Sequence, residues 1–158
     1  MLKKIISGGQ TGVDRGALDA ALKHGVDCGG WCPEGRVAED GTIPDKYPMV
    51  EVPGGSYKHR TLQNIMGSDG TVIIYFSDLE GGTEETAFYC MKKGMPYKLI
   101  DLSEVSLARA KELIASFVQK REIEVLNVAG PRASRVEQAY DYTFGVLDAL
   151  LTDTVSQA

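Results

Sequence analysis

The sequence predicts a three-layer α/β domain, built on a mainly parallel sheet of five or more strands. Short β-rich runs alternate with helical periods five times over, the pattern of strands joined by crossover helices. The strongest run, residues 71–76 (Thr-Val-Ile-Ile-Tyr-Phe), reads as a central parallel strand covered on both faces. Eighteen glycines cluster after such runs, where backbone must come close to something. At 158 residues the chain is expected to be one domain with a substantial core.

Each element has its own signal. Residues 3–7 form the first strand expectation, and 14–24 the first helix, with Leu18, Ala21 and Leu22 on one face and Gly25 past its end. Residues 26–31 supply a second strand, 60–66 a short helix, and 71–76 the central strand. A helix from about 84 to 93, closed by Gly94, precedes a strand at 97–102. Ser103 is the expected cap of a helix over 105–120, and 122–128 is the next strand. The last helix is expected from Ser134, which forms a capping box with Glu137. Val136, Tyr140, Thr143, Leu147 and Leu150 then recur at helical spacing. Crossovers are expected to be right-handed.

Composition excludes several function classes. A net charge of −5 argues against nucleic-acid binding, because no general field draws a phosphate backbone to the surface. A small anion remains compatible where cations are local. Residues 1–6 are too short an apolar run for a leader, and no stretch approaches the roughly 20 residues of a membrane span. A cytoplasmic location is the expectation. Three cysteines do not fit a secreted disulfide scaffold. Cys28 and Cys32 with His24 lack a fourth ligand at zinc spacing, so no metal site is read there. Cys90 reads as core packing. Base rates alone favour a homodimer or higher homo-oligomer.

Residues 33–59 hold only a weak strand at 49–52, although loops beyond about 12–15 residues are uncommon in compact domains. The segment is expected to act as a lid or binding loop, bringing Arg36 with Glu39 or Asp40 to a ligand.

Three segments, 7–14, 77–85 and 129–134, share the design of strand, glycine turn and helix start. In an open parallel sheet all three lie at the carboxyl edge, where ligands bind at the point of topological reversal. Helix N-termini there suit phosphate. The first turn offers Gly8, Gly9, Gln10, Thr11, Gly12, Asp14 and Arg15. The second offers Gly81, Gly82 and Thr83, and the third Gly130 and Arg132. Arg15, Arg36, Arg60, Arg132 and Arg135 could supply the cations, two or three of them touching ligand. Neither G-x-G-x-x-G nor Gly-Lys-Ser/Thr is present, which disfavours NAD and ATP chemistry. Glu84 and Glu85 suit a helix first turn on dipole grounds alone.

The run Gly8-Gly9-Gln10-Thr11-Gly12-Val13-Asp14-Arg15-Gly16-Ala17 resembles the family labelled putative molybdenum carrier proteins. Gly30-Trp31-Cys32-Pro33, Gly35-Arg36, Ala38-Glu39-Asp40-Gly41, Ile43-Pro44 and Tyr47-Pro48 continue the match. So do Arg60-Thr61, Asn64, Ser68-Asp69-Gly70-Thr71 and Gly81-Gly82-Thr83, over residues 5 to about 132. That family is similar to the SLOG group of Rossmann-like domains, which includes the cytokinin-activating phosphoribohydrolases. The resemblance implies a ligand site in the glycine loops and carriage of a phosphorylated pterin, molybdenum cofactor. Against the phosphoribohydrolase pattern Pro-Gly-Gly-x-Gly-Thr-x-x-Glu, the chain lacks the intervening residue and the next glycine. Thr86 stands where the working glutamate would be, and Glu85 is one position early, about 100° around a helix.

The leading expectation is therefore a carrier or sensor of a small phosphorylated nucleotide- or pterin-like ligand, and not an enzyme. The alternative is a hydrolase of nucleotide N-glycosidic bonds, with Glu84, Glu85 or Asp14 as the acid–base group. A third reading is an interaction module with a vestigial pocket.

Overall fold

The β-rich runs become one six-stranded sheet in a computed structural model, which describes residues 1–156. The elements run β1 (Lys4–Ile6), α1 (Val13–Lys23), β2 (Asp27–Pro33), β3 (Val37–Ala38), β4 (Gly41–Thr42) and β5 (Met49–Val52). They continue α2 (Tyr57–Met66), β6 (Gly70–Tyr75), α3 (Gly81–Lys93), β7 (Tyr97–Asp101), α4 (Leu107–Lys120), β8 (Val125–Ala129) and α5 (Ala139–Ser156). The sheet order is β5-β2-β1-β8-β6-β7, with every neighbouring pair parallel. In register, Ile5 faces Cys28 on one side and Leu126 on the other.

The sheet is Rossmann-like, and helices cover both faces. α1, α4 and α5 pack together over a large cluster that includes Ile5, Leu18, Ile114, Leu126 and Leu147. α2 and α3 close a smaller one around Ile65, Tyr89 and Cys90. No helix among the described residues is long and apolar enough to cross a membrane.

The run at 71–76 is an interior strand, with Val72, Ile73 and Ile74 fully buried. It is not the middle one. The chain returns late to insert β8 between β1 and β6, so β1 and β8 form the central pair and β6 lies fifth. Such late insertion is a long-range event that local pattern does not encode.

Helix starts shift for identifiable reasons. α4 is capped by Ser106, whose Oγ accepts from Arg109 N at 3.2 Å. The Ser103 hydroxyl instead donates to Asp101 Oδ1 at 2.6 Å. α5 begins at Ala139, and the Ser134 hydroxyl donates to Glu39 instead of marking the helix start. α3 begins three residues early, at Gly81, with Glu80 as a cap residue that makes no side-chain bond.

The 33–59 segment is more structured than a loop. It carries the β3–β4 hairpin, the edge strand β5 and the start of α2, whose capping box joins Ser56 and His59. Gly30 on β2 has φ +125°, and a Cβ there would stand 2.1 Å from Ser7 O, so β1 and β2 meet closely only with glycine.

Candidate functional site

The carboxyl ends of β1, β6 and β8 open onto one cavity of about 500 Å³. It sits where the chain order reverses, since β1 leads away to β2 while β6 leads away to β7. The first glycine turn contributes Gly8, Gln10 and Asp14 to the lining. The second contributes Asp78, Glu80, Gly81, Gly82 and Thr83, and the third Gly130, Pro131 and Arg132. α2 reaches in with Tyr57, Arg60, Thr61 and Asn64.

Arg60 occupies the floor. A Cβ on Gly8 would stand 1.5 Å from Arg60 Nη1, so glycine is what lets the guanidinium lie against the turn. Its Cζ lies 5.4 Å from the Tyr57 ring centroid, within cation–π range. Nη1 lies 3.8 Å from Asp14 Oδ2, and the buried Nε has no hydrogen-bond partner. A buried guanidinium N–H without an acceptor is costly, and a ligand oxygen would relieve it.

Asp14 Oδ2 accepts from Gln10 N at 3.1 Å. Burial pushes this carboxyl up to about 6, although Arg60, the Gln10 and Gly8 amides and Arg15 pull it down. The unfolded value is near 3.8, so the folded protein holds this proton more tightly. The associated stabilisation is complete below about pH 4 and is lost as pH rises through about 6, amounting to about 3 kcal/mol. Asp14→Asn is expected to gain on wild type by about that amount between pH 4 and pH 7. Urea unfolding at both pH values measures it, and an equal stability difference at both would refute the raised carboxyl.

Two further arginines stand at the cavity. Arg132 belongs to the third turn, and Arg135 Nη1 lies 3.9 Å from where a Cβ on Gly81 would be. The N–H groups of Gly81 and Gly82, ahead of the Thr83 and Glu84 amides that donate to Glu80 O, carry the positive end of the α3 dipole into the same space. Asp78 and Glu80 line the opposite charge, so the cavity is polar and mixed.

The remaining site expectations fall outside the lining. Arg36, at φ 54°, donates to the carbonyls of Ile43, Pro44, Tyr47 and Met49 at 2.8–3.4 Å, holding its own loop together. Arg15 donates to Gly9 O at 3.1 Å and pairs with Asp40 through both terminal nitrogens. Glu39 accepts from Thr11 Oγ1 and from Ser134. Gly9 and Gly12 shape the turn at φ +79° and +81°. The 33–59 segment thus braces the first and third turns, with neither Arg36, Glu39 nor Asp40 in the cavity wall. Among the carboxylates weighed for hydrolysis, Asp14 lines the cavity, whereas Glu84 and Glu85 do not. Thr86 does, and its hydroxyl donates to Gly82 O at 2.8 Å.

Sequence reasoning missed Tyr57, Tyr75, Phe76 and Asn127. Asn127 is buried in β8, with Nδ2 donating to Thr71 Oγ1 at 3.2 Å. An asparagine inside an otherwise apolar strand was its available signal. Cys28 and Cys32 lie buried on β2, and His24 Nε2 stands 2.7 Å from Asp148 Oδ1.

A parallel sheet with a polar cavity at its switch point defines a Rossmann-like protein with a ligand-binding role. Residues 5–151 match the family described as circularly permutated YpsA SLOG, and the chain belongs to that family. It is similar to the crystal structure of a putative molybdenum carrier protein from Syntrophus aciditrophicus SB. The two share 45% identity over 95% of each chain, with a TM-score of 0.92. No curated protein matches the chain.

Proposed function

We propose that this protein carries or senses a small phosphorylated ligand of nucleotide or pterin type, seated in the cavity between the three glycine turns. The observation that carries the reading is the convergence of Arg60, Arg132, Arg135 and the α3 N-terminus on one polar cavity. Guanidinium forks and helix-terminal N–H groups are the donors that phosphate takes. The Tyr57 and Phe76 rings at the same cavity suit a planar heterocycle.

Molybdenum cofactor is the candidate that the relative's name suggests. The lining fits its phosphate and its pterin. Among the described residues no cysteine lines the cavity, so the protein would hold the organic part and leave the metal to its dithiolene.

Gly82 provides the test. A Cβ there meets no protein atom within 4 Å, while the residue lines the cavity. Gly82→Val is therefore expected to keep Tm within about 2 °C of wild type, as for a surface change. It is expected to lose the ligand that wild type retains in native mass spectrometry. Equal ligand retention by the variant, or no ligand mass on either protein after exposure to nucleotide and pterin phosphates, would overturn the reading.

A further inference from the structure

Where the first and third turns meet the β3–β4 hairpin, the protein holds a second set of anion donors filled by its own Glu39. Thr11 Oγ1 and Ser134 N, the latter at 3.1 Å, both donate to Glu39 Oε1. Ser134 Oγ donates to Oε2 at 2.5 Å. Partial desolvation raises this carboxyl, but the Ser134 and Thr11 hydrogen bonds, and then the Arg132 charge, hold it below its ordinary value.

Thr11 is also held by contacts that do not involve the Glu39 carboxylate. Ala133 N donates to Thr11 Oγ1 at 3.1 Å, and Gln10 Oε1 accepts from Thr11 N at 3.0 Å. Gly12 lies so close to the third turn that a Cβ would stand 2.5 Å from Pro131 O. The two turns are thereby locked together whatever anion sits between their side chains. Glu39 itself is exposed, on the β3–β4 hairpin, and is held there by its own N–H to Gln10 Oε1 at 2.9 Å.

Two hydroxyls, a backbone N–H and a neighbouring guanidinium match a phosphate at least as well as a carboxylate. The donors adjoin the cavity directly. Gln10, Arg132 and Arg135 line it, and Thr11, Ala133 and Ser134 are their chain neighbours. We infer that Thr11, Ser134 and Arg132 form a second phosphate subsite, that Glu39 occupies it as an internal stand-in, and that the cognate ligand carries two linked phosphates. The second phosphate displaces the Glu39 carboxylate. Only the placement of the first phosphate rests on the cavity reading above.

Amide NMR at constant ionic strength, with inorganic phosphate and pyrophosphate as probes, tests this. In Glu39→Ala the Ala133 and Ser134 amides are expected to shift saturably with pyrophosphate, with affinity at least tenfold tighter than in wild type. Gly81 and Gly82 amides report on the cavity separately. Their silence, with Ser134 responding, would remove the cavity reading and leave the subsite standing. A Ser134 amide that ignores pyrophosphate in folded Glu39→Ala would reduce Glu39 to a brace and overturn the inference. Where Glu39→Ala loses its dispersed spectrum, the isosteric Glu39→Gln, which keeps the shape and drops the charge, is read by the same criterion.

Discussion

Arg60→Ala is expected to weaken binding of a phosphorylated ligand by about 10- to 100-fold, the loss of about 1.5–3 kcal/mol from charged hydrogen bonds. The side chain is largely buried on the cavity floor, and its Nε has no partner. Burial keeps solvent from screening its charge. Arg60→Lys is expected to recover only part of the affinity, since a point charge replaces a planar fork. The same loss removes the strongest opposing influence on Asp14, so its carboxyl is expected to rise further above about 6. Calorimetric titration with a nucleoside monophosphate, beside a carbon-13 carboxyl titration of Asp14, reads both effects. Unchanged affinity with a folded variant would exclude Arg60 as a phosphate ligand.

Gly30→Ala is expected to destabilise the fold by about 3–5 kcal/mol. A Cβ there would stand 2.1 Å from Ser7 O and 2.9 Å from Asn64 Oδ1, at a φ of +125° that side chains rarely adopt. Backbone strain and overpacking each cost about 1–3 kcal/mol, and neither neighbour can yield. Ser7 leads into the first glycine turn, and Asn64 is fixed by bonds to both Trp31 N and Trp31 O. A fall in Tm of on the order of 10 °C follows for a chain of this size. A variant melting within about 2 °C of wild type would show that β1 and β2 can separate without cost.

Much of the architecture was legible in local pattern because strands and helices bury surface with different periods. The six-residue run at β6 and the apolar spacing of Thr143, Leu147 and Leu150 in α5 are burial patterns, and all three of those α5 residues are buried. Element ends were less legible. Ser103, Ser106 and Ser134 offer the same capping chemistry, and only Ser106 caps, while the Ser103 and Ser134 hydroxyls turn to Asp101 and Glu39. For Ser103 that acceptor lies two residues away, but for Ser134 it is a tertiary neighbour 95 residues away.

The sequence alone determined the α/β class, the parallel sheet and the placing of three glycine turns at strand ends, since each depends on residues close together in the chain. It also marked the motif residues that carry the family resemblance. Only the tertiary structure decided which of those residues meet. Five arginines had equal standing by charge, and folding puts Arg60, Arg132 and Arg135 at the cavity. It commits Arg15 to Asp40 and Arg36 to the carbonyls of its own loop. A guanidinium's role depends on which acceptors lie within about 3 Å. That distance is set by the late insertion of β8 and by glycines such as Gly8 and Gly30 that let segments touch, which no single stretch of chain contains.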